Sequence, residues 1–224
     1  MEKDKTQITI ETYDNIVPEF LEYFNYGKNE VQFKEQLDFL AGLLPPKSKI
    51  LDAGCGLGFQ SKYLNELGFD VIGIDAAPNM VEQSRKLTSN CEFRVMDVRN
   101  LNFMENSFDC IICFAVLIHL NDSDCKQTLN KFYKMLKPNG ILLVNVKEHF
   151  DDEAKEIFDK EPLNPKFKTY FNGYKKEFMQ DYLIKKLNMH FLKEFNSGLF
   201  NPDAIKNGTI KKNLNQFTIV VKKF

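Results

Sequence analysis

No stretch of this sequence is apolar for long enough to cross a bilayer. The longest such run, Cys110 to Ile118, falls far short of the ~20 residues that a spanning helix needs. The opening residues, MEKDKTQITIETYD, are charged where a secretory signal carries its apolar stretch. Together these absences set the expectation of a cytoplasmic protein with no membrane partner. An excess of one charge is lacking too. Thirty Lys and Arg against 31 Asp and Glu leave a net charge of -1, so no global field points to anionic lipid or nucleic acid, and nucleic-acid binding is not expected. The five cysteines are odd in number and scattered, which does not suit a disulfide framework. Cys110 and Cys113 do form a CxxC spacing, but CIICF reads as a strand, in which positions i and i+3 point to opposite faces. No second Cys or His pair lies nearby, so neither redox nor zinc chemistry is expected and no metal site is assigned. Internal repeats, low-complexity tracts and an obvious interdomain linker are also missing.

What is present is a core. A length of 224 residues with 43% apolar content suits one domain, because single cores stop growing at roughly 250 to 300 residues. From Lys49 to Lys147 short apolar runs (KILDA, DVIGID, CEFRVMD, FDCIICFAV, GILLVNVK) alternate with helical patterns (FQSKYLNELG, PNMVEQSRKL, DSDCKQTLNKFYKML). That alternation is the signature of a parallel sheet covered by helices. The last of these helices should place Cys125, Leu129, Phe132 and Leu136 on one face. After a looser, Pro-containing stretch come a helix in YKKEFMQDYLIKKL, the run MHFLKEFNS, the pair Asn207-Gly208 and a closing strand in NQFTIVVKKF. The expectation is an α/β, doubly wound, Rossmann-like sheet of seven mostly parallel strands whose last strand is antiparallel, with helices on both faces. Within this single domain the parts are an N-terminal helical segment at 1–45 laid over the sheet's edge, a core at 46–148 and a C-terminal part at 149–224. The helical segment carries Tyr13, Phe20, Tyr23, Phe24, Tyr26, Phe33 and Phe39 at helical spacing.

The stretch ILDAGCGLGF, Ile50 to Phe59, sets glycines at alternate positions after a strand. A dinucleotide fingerprint counted from Gly54 requires glycines at 56 and 59, but 59 is Phe and the third glycine is Gly58. Nothing in the loop is basic, and Asp52 would repel a pyrophosphate; it suits a cation such as an amino-acid ammonium. DAGCGLG resembles the first motif of the class I S-adenosylmethionine-dependent methyltransferases, an acidic residue followed by G-x-G-x-G. Asp75 and Asp97 end the next two strands. By this resemblance Asp75 accepts from the ribose diol and Asp97 from the adenine amino group. The resemblance further implies S-adenosyl-L-methionine as cofactor, held by Asp52, Gly54, Cys55, Gly56, Gly58, Asp75, Ala76, Met80, Asp97, Val98 and Phe114, with Tyr13 nearby. It covers Ser48 to Lys147 as an ordered series.

The acceptor belongs over the carboxyl ends of the strands. Phe114 and Ala115 should border the transferring methyl. Family members that methylate base amino groups often carry an acidic or amide residue followed by Pro-Pro and an aromatic here, whereas this sequence reads FAVLIH. It is similar instead to the small-molecule and general branches, which implies a methyl transferase acting on an N or O atom of a small-molecule acceptor. His119 is the candidate general base, titrating near neutral pH, or else a hydrogen-bonded strand-end residue. TYDNI at Thr12 to Ile16 resembles an element that folds over the cofactor, which would bring the Tyr13 hydroxyl to the methyl donor; packing of its ring is the alternative. Lys147, Glu148, His149 and the YFNGY stretch from Tyr170 to Tyr174 are further candidates for the acceptor pocket. The rivals are a tRNA or protein methyltransferase, an NAD(P)-dependent oxidoreductase and a noncatalytic binder of the same cofactor.

Overall fold

The computed structural model describes residues 4–25, 33–149, 155–197 and 216–224. Tyr26 and the Asn207-Gly208 pair lie outside the described residues, and so does the side chain of Phe24. The chain opens with α1 (Lys5–Asn15), α2 (Val17–Asn25) and α3 (Lys34–Leu43). It then alternates through β1 (Lys49–Ala53), α4 (Phe59–Glu66), β2 (Asp70–Asp75), α5 (Pro78–Leu87), β3 (Glu92–Val95), β4 (Phe108–Phe114), α6 (Asp122–Met135) and β5 (Leu136–Lys147). The remainder is β6 (Glu156–Lys160), β7 (Lys168–Asn172), α7 (Lys176–Gln180), β8 (Met189–Ser197) and β9 (Gln216–Lys223). Among the described residues no helix is long and apolar enough to cross a membrane.

The main sheet has seven strands in the order β3-β2-β1-β4-β5-β9-β8. β3 to β5 are parallel, and β9 inserts antiparallel between β5 and β8. The order reverses at β1, so the crevice for a ligand lies over the carboxyl ends of β1 and β4. Alternation along β4 sends Cys110 and Ile112 to the face covered by Leu37 and Leu40 of α3, while Ile111 and Cys113 join Leu129 and Phe132 of α6 on the other. The CxxC pair is therefore split between two layers of the core, and burial raises both thiols well above their ordinary range. Cys125, Leu129 and Phe132 share the buried face of α6 as expected, but the helix stops at Met135, and Leu136 is buried as the first residue of β5. In the YKKEFMQDYLIKKL stretch only α7 is α-helical; the chain widens into a π-type turn at Asp181–Lys186.

Two features near the crevice differ from the expected layout. The loose stretch after β5 contains a separate two-stranded antiparallel ladder, β6-β7. The first helix does not cover the sheet's edge. Instead α1 packs on β7 and α5, across the strand ends. The reason is its buried face, which is made of Thr6, Thr9 and Thr12 rather than apolar residues. Thr6 Oγ1 donates to the His119 carbonyl at 2.8 Å, Thr12 Oγ1 donates to the Lys168 carbonyl at 2.7 Å, and Thr9 Oγ1 accepts from the Tyr170 N–H at 2.9 Å. Such a helix seeks backbone partners, and loops and edge ladders supply them where a sheet face does not.

Candidate active site

The glycine turn is built by backbone geometry. Gly54 and Cys55 both donate to the Ile74 carbonyl, at 2.7 and 2.9 Å, which folds the end of β1 back over β2. The glycines serve different needs. A Cβ on Gly54 would lie 1.9 Å from Val116 Cγ2, so the close approach there is made by the loop after β4. Gly56, at φ +51°, has no protein atom within 4 Å of the place its Cβ would occupy. Open space beyond a left-handed glycine is what a ligand's approach requires. At Gly58 the space is filled by Phe93 and Ser84, so that glycine packs α4 against its neighbours.

Asp75 organises this turn. Its Oδ2 accepts from the Gly56 N–H and its Oδ1 from the Ala77 N–H, each at 2.9 Å. Each oxygen retains lone-pair capacity for a diol, since an ionised carboxylate offers about four acceptor sites. Burial still lifts its carboxyl above the usual range. Asp52 is only 2% exposed, and accepts from Ser61 Oγ at 2.6 Å. Desolvation pushes it up to about 7. A buried acid with no ion pair among the described residues suits a cationic ligand group, and it costs stability while the ligand is away. Its folded pKa lies above the unfolded value of ~3.9, so stability present at pH 4 is lost as the pH rises through 7. Asp52→Asn is expected to raise the Tm of the ligand-free protein at pH 8 by roughly 4 to 8 °C, equivalent to about 2 kcal/mol. That gain should fade by pH 5, and cofactor affinity should fall. Thermal unfolding at the two pH values, with equal gains at both, would refute this account.

Other expected site residues fall into place unevenly. Both Asp97 oxygens are engaged by Arg99: Oδ1 accepts its backbone N–H at 2.8 Å, and Oδ2 accepts Nε and Nη2 at 2.9 and 2.7 Å. An adenine amino group would have to share this carboxylate with a guanidinium, a competitor the sequence reading did not include. Arg99 also reaches Asp4 at 2.5 Å, tying the start of α1 to the end of β3. The Cys55 side chain turns into a small core with Val81 and Phe93, and Val98 is buried in the main core. Both side chains are thus spent on packing. Met80 is buried with Leu57 and Ala77, under Tyr13 and Phe20, while Ala76 is half-buried beside Asp75. Phe114 stacks on Phe33 at 4.4 Å between centroids. The next residue, Ala115, holds φ +55°. A left-handed non-glycine at this point is the kind of strain that gathers at functional sites.

Tyr13 and His119 meet. Tyr13 Oη lies 3.3 Å from His119 Nε2, and His119 Nδ1 lies 2.7 Å from the Tyr170 carbonyl. A carbonyl only accepts, so Nδ1 carries the proton and Nε2 is left to accept from the phenol. Burial lowers the imidazole to about 4. Burial, with the charges of Glu161 and Asp75, raises the Tyr13 phenol well above its ordinary range. Both groups are therefore neutral at pH 7. This corrects the expectation of a histidine titrating near neutrality, because desolvation outweighs the one hydrogen bond that would favour its cation. Phe171 flanks the imidazole at 5.0 Å. Tyr174 is buried, its hydroxyl donating to the Leu117 and Leu120 carbonyls at 3.1 and 2.9 Å, so it props the His119 turn from below. Glu148 pairs with Lys176 at 3.9 Å, and His149 is half-buried with an unpartnered Nδ1. Lys147 is buried. Sequence reasoning missed Arg99, Val116 and Glu161. Only the short Asp97-Arg99 spacing carried any signal.

Comparison with known proteins accords with this geometry. The family described as "Methyltransferase domain" matches residues 50–140. The chain is 37% identical over 122 residues to a phosphoethanolamine N-methyltransferase of Plasmodium falciparum, covering 50% of this chain and 46% of that one. It is 30% identical over 144 residues to a putative methyltransferase of Bacillus subtilis, covering 62% and 58%. The chain thus spans about half the length of these curated relatives. Among solved structures, a Burkholderia thailandensis 1,6-didemethyltoxoflavin-N1-methyltransferase with bound S-adenosylhomocysteine superposes with a TM-score of 0.70 at 16% identity, over 97% of this chain and 88% of that one. A [4+2]-cyclase, SpnF, superposes with a TM-score of 0.71 at 16% identity, over 98% and 96%, so the fold by itself does not choose the reaction. Residues 50–140 match that family, and the chain has the fold of the class I S-adenosylmethionine-dependent methyltransferases.

Proposed function

We propose that this chain transfers a methyl group from S-adenosyl-L-methionine to the amine nitrogen of a small polar acceptor. The observation that carries the reading is the open cradle at Gly56, edged by Asp75 and faced by Tyr13, whose phenol feels the Asp75 charge. Asp75 would hold the ribose diol, Asp97 the adenine edge in company with Arg99, and Asp52 the cationic amino-acid end. When bound, the cofactor supplies an electrophilic methyl on a sulfonium, already a good leaving group. The helix α1, seated by its threonine hydroxyls, contributes the lid. The name of one relative, an N-methyltransferase acting on phosphoethanolamine, supports nitrogen as the acceptor atom.

The role of the pair is positional. With its proton committed to His119 Nε2, the Tyr13 oxygen presents lone pairs to an acceptor N–H. An amine reacts only when neutral, so the proton its ammonium carries in water leaves to solvent before transfer. A nucleophile held in line gains much of its rate from orientation alone, ~7 to 11 kcal/mol for well-placed reactants. Calorimetry with S-adenosylmethionine and S-adenosylhomocysteine, followed by mass-shift assays against small amines, tests the reading; absence of cofactor binding would end it. Asp75→Ala is expected to weaken both ligands by ~10- to 150-fold, the loss of charge-assisted bonds worth ~1.5 to 3 kcal/mol. Unchanged affinity in a folded variant would take Asp75 out of the ribose site.

A further inference from the structure

We infer that the Glu161 carboxylate is the counter-ion for a cationic acceptor, binding an ammonium group beside Tyr13 and so selecting amines. The inference deepens the reading above and rests on it. Its geometry comes from the β6-β7 ladder. Successive strand residues alternate faces, so Thr169 and Phe171 of β7 share one. Phe171 packs on the His119 ring, which fixes that face as the one turned to the site. Thr169 Oγ1 donates to Glu161 Oε2, and the Leu163 N–H donates to Oε1 at 3.3 Å. Glu161 continues the ladder opposite Phe167, its N–H donating to that carbonyl at 3.0 Å. Its carboxylate therefore lies on the His119 side of the hairpin, and its charge is one of those that raise the Tyr13 phenol.

Charge accounting supplies the rest. Glu161 is 5% exposed, yet no ion pair reaches it among the described residues. Its neighbours on the outer surface are paired in the ordinary way, Glu156 with Lys5 and Asp122 with Lys155. A hydroxyl and one N–H are thin compensation for a carboxylate this buried, and desolvation lifts it above the usual carboxylate range. The surroundings add negative charge rather than relieve it. Glu19 of α2 accepts from Asn164 Nδ2 at 2.7 Å through Oε1, while its Oε2 is buried without a partner. A protonated amine, with its positive charge and several N–H donors, answers both deficits. Once the bound ammonium has lost one proton to solvent, the nitrogen lone pair forms the C–N bond, the S–C pair stays with sulfur, and positive charge passes from sulfur to nitrogen. A carboxylate fixed near the nitrogen favours that movement.

The test titrates methylammonium, ethanolamine, choline and phosphoethanolamine into protein loaded with S-adenosylhomocysteine, beside ethylene glycol as the neutral counterpart of ethanolamine. At least one ammonium ion should bind the wild type. Glu161→Gln, which keeps an oxygen for Thr169, should weaken it at least 10-fold while S-adenosylhomocysteine affinity moves less than 2-fold. Glu161→Asp, with the charge retained at shorter reach, should lose less than Gln. Overturning results are no binding by any ammonium ion, ethylene glycol binding as well as ethanolamine, or equal binding by wild type and the Gln variant. A Gln variant that loses S-adenosylmethionine but not its thioether product would assign the carboxylate to the sulfonium and also overturn the inference. Failure of S-adenosylhomocysteine to bind at all would instead refute the methyltransferase reading beneath it.

Discussion

Gly54→Ala is expected to cost about 2 to 5 kcal/mol of stability and, in whatever protein still folds, to abolish detectable cofactor binding. Two effects add. At φ +85° an L-residue bears a left-handed penalty of ~1 to 2 kcal/mol, and the new methyl falls 1.9 Å from Val116 Cγ2, an overlap that something must move to relieve. Overpacking of this kind costs ~1 to 3 kcal/mol. Val116 stands directly before the 3-10 turn Leu117–His119, so the displacement passes to His119 and the Tyr13 contact as well. Gly56→Ala separates stability from binding. Its methyl meets no protein atom, so the fold should lose only about 1 kcal/mol, while the cradle is filled and affinity falls by at least 10-fold. Denaturant unfolding and calorimetry of both variants decide the matter. In the double variant Gly54→Ala, Val116→Ala, part of the stability should return, because the closest overlap is with a methyl that Val116→Ala deletes. Wild-type stability in Gly54→Ala would show that the turn yields freely.

The sheet was legible because its central strands are buried on both faces and therefore read as unbroken apolar runs; IIC in β4 needs no partner to be recognised. The glycine turn and the acids of β1 and β2 were legible for a related reason, since backbone constraints and strand ends leave marks at fixed spacing. The elements over the crevice were not. The buried face of α1 is threonine, which carries no apolar stripe, and its seat is made of carbonyls that exist only once β7 and the His119 turn are in place. β6 reads EIFDK, mostly exposed, so its strand character comes from pairing with β7 rather than from burial. Glu161 carried no motif at all. Its interest comes from being buried without a cation, a property of tertiary placement. The same holds for the two ends of the candidate pair. Sequence brought Tyr13 and His119 separately to the site, but the tautomer and the sign of the pKa shift depend on the Tyr170 carbonyl and on burial, which residue type does not encode.

That sign decides what the pair can do, and its removal should have the largest kinetic effect. Tyr13→Phe is expected to lower kcat by about 10²-fold with cofactor affinity intact, and His119→Ala by a similar factor, because without Nε2 the phenol proton loses its acceptor and the hydroxyl its direction. The two act as one unit, so the double variant should be hardly worse than either single one. An imidazole lowered to about 4 is already unprotonated at neutral pH, so the rate should not follow a histidine titration near 6.5. Activity should fall only below about pH 5, where the ring gains a proton and ceases to accept from Tyr13. Stability carries the same signature. The folded pKa lies below the unfolded one, so the histidine's contribution is whole above pH 6.5 and is lost as the pH falls toward 4, by roughly 3 kcal/mol. His119→Gln, whose amide oxygen can take the Nε2 position and accept from the phenol, should keep activity within ~10-fold of wild type and remove most of that acid sensitivity. A kcat that rises through pH 6.5, together with an inactive Gln variant, would replace positioning with proton abstraction. In that case the burial that lowers His119 in the free protein would have to be reversed on binding.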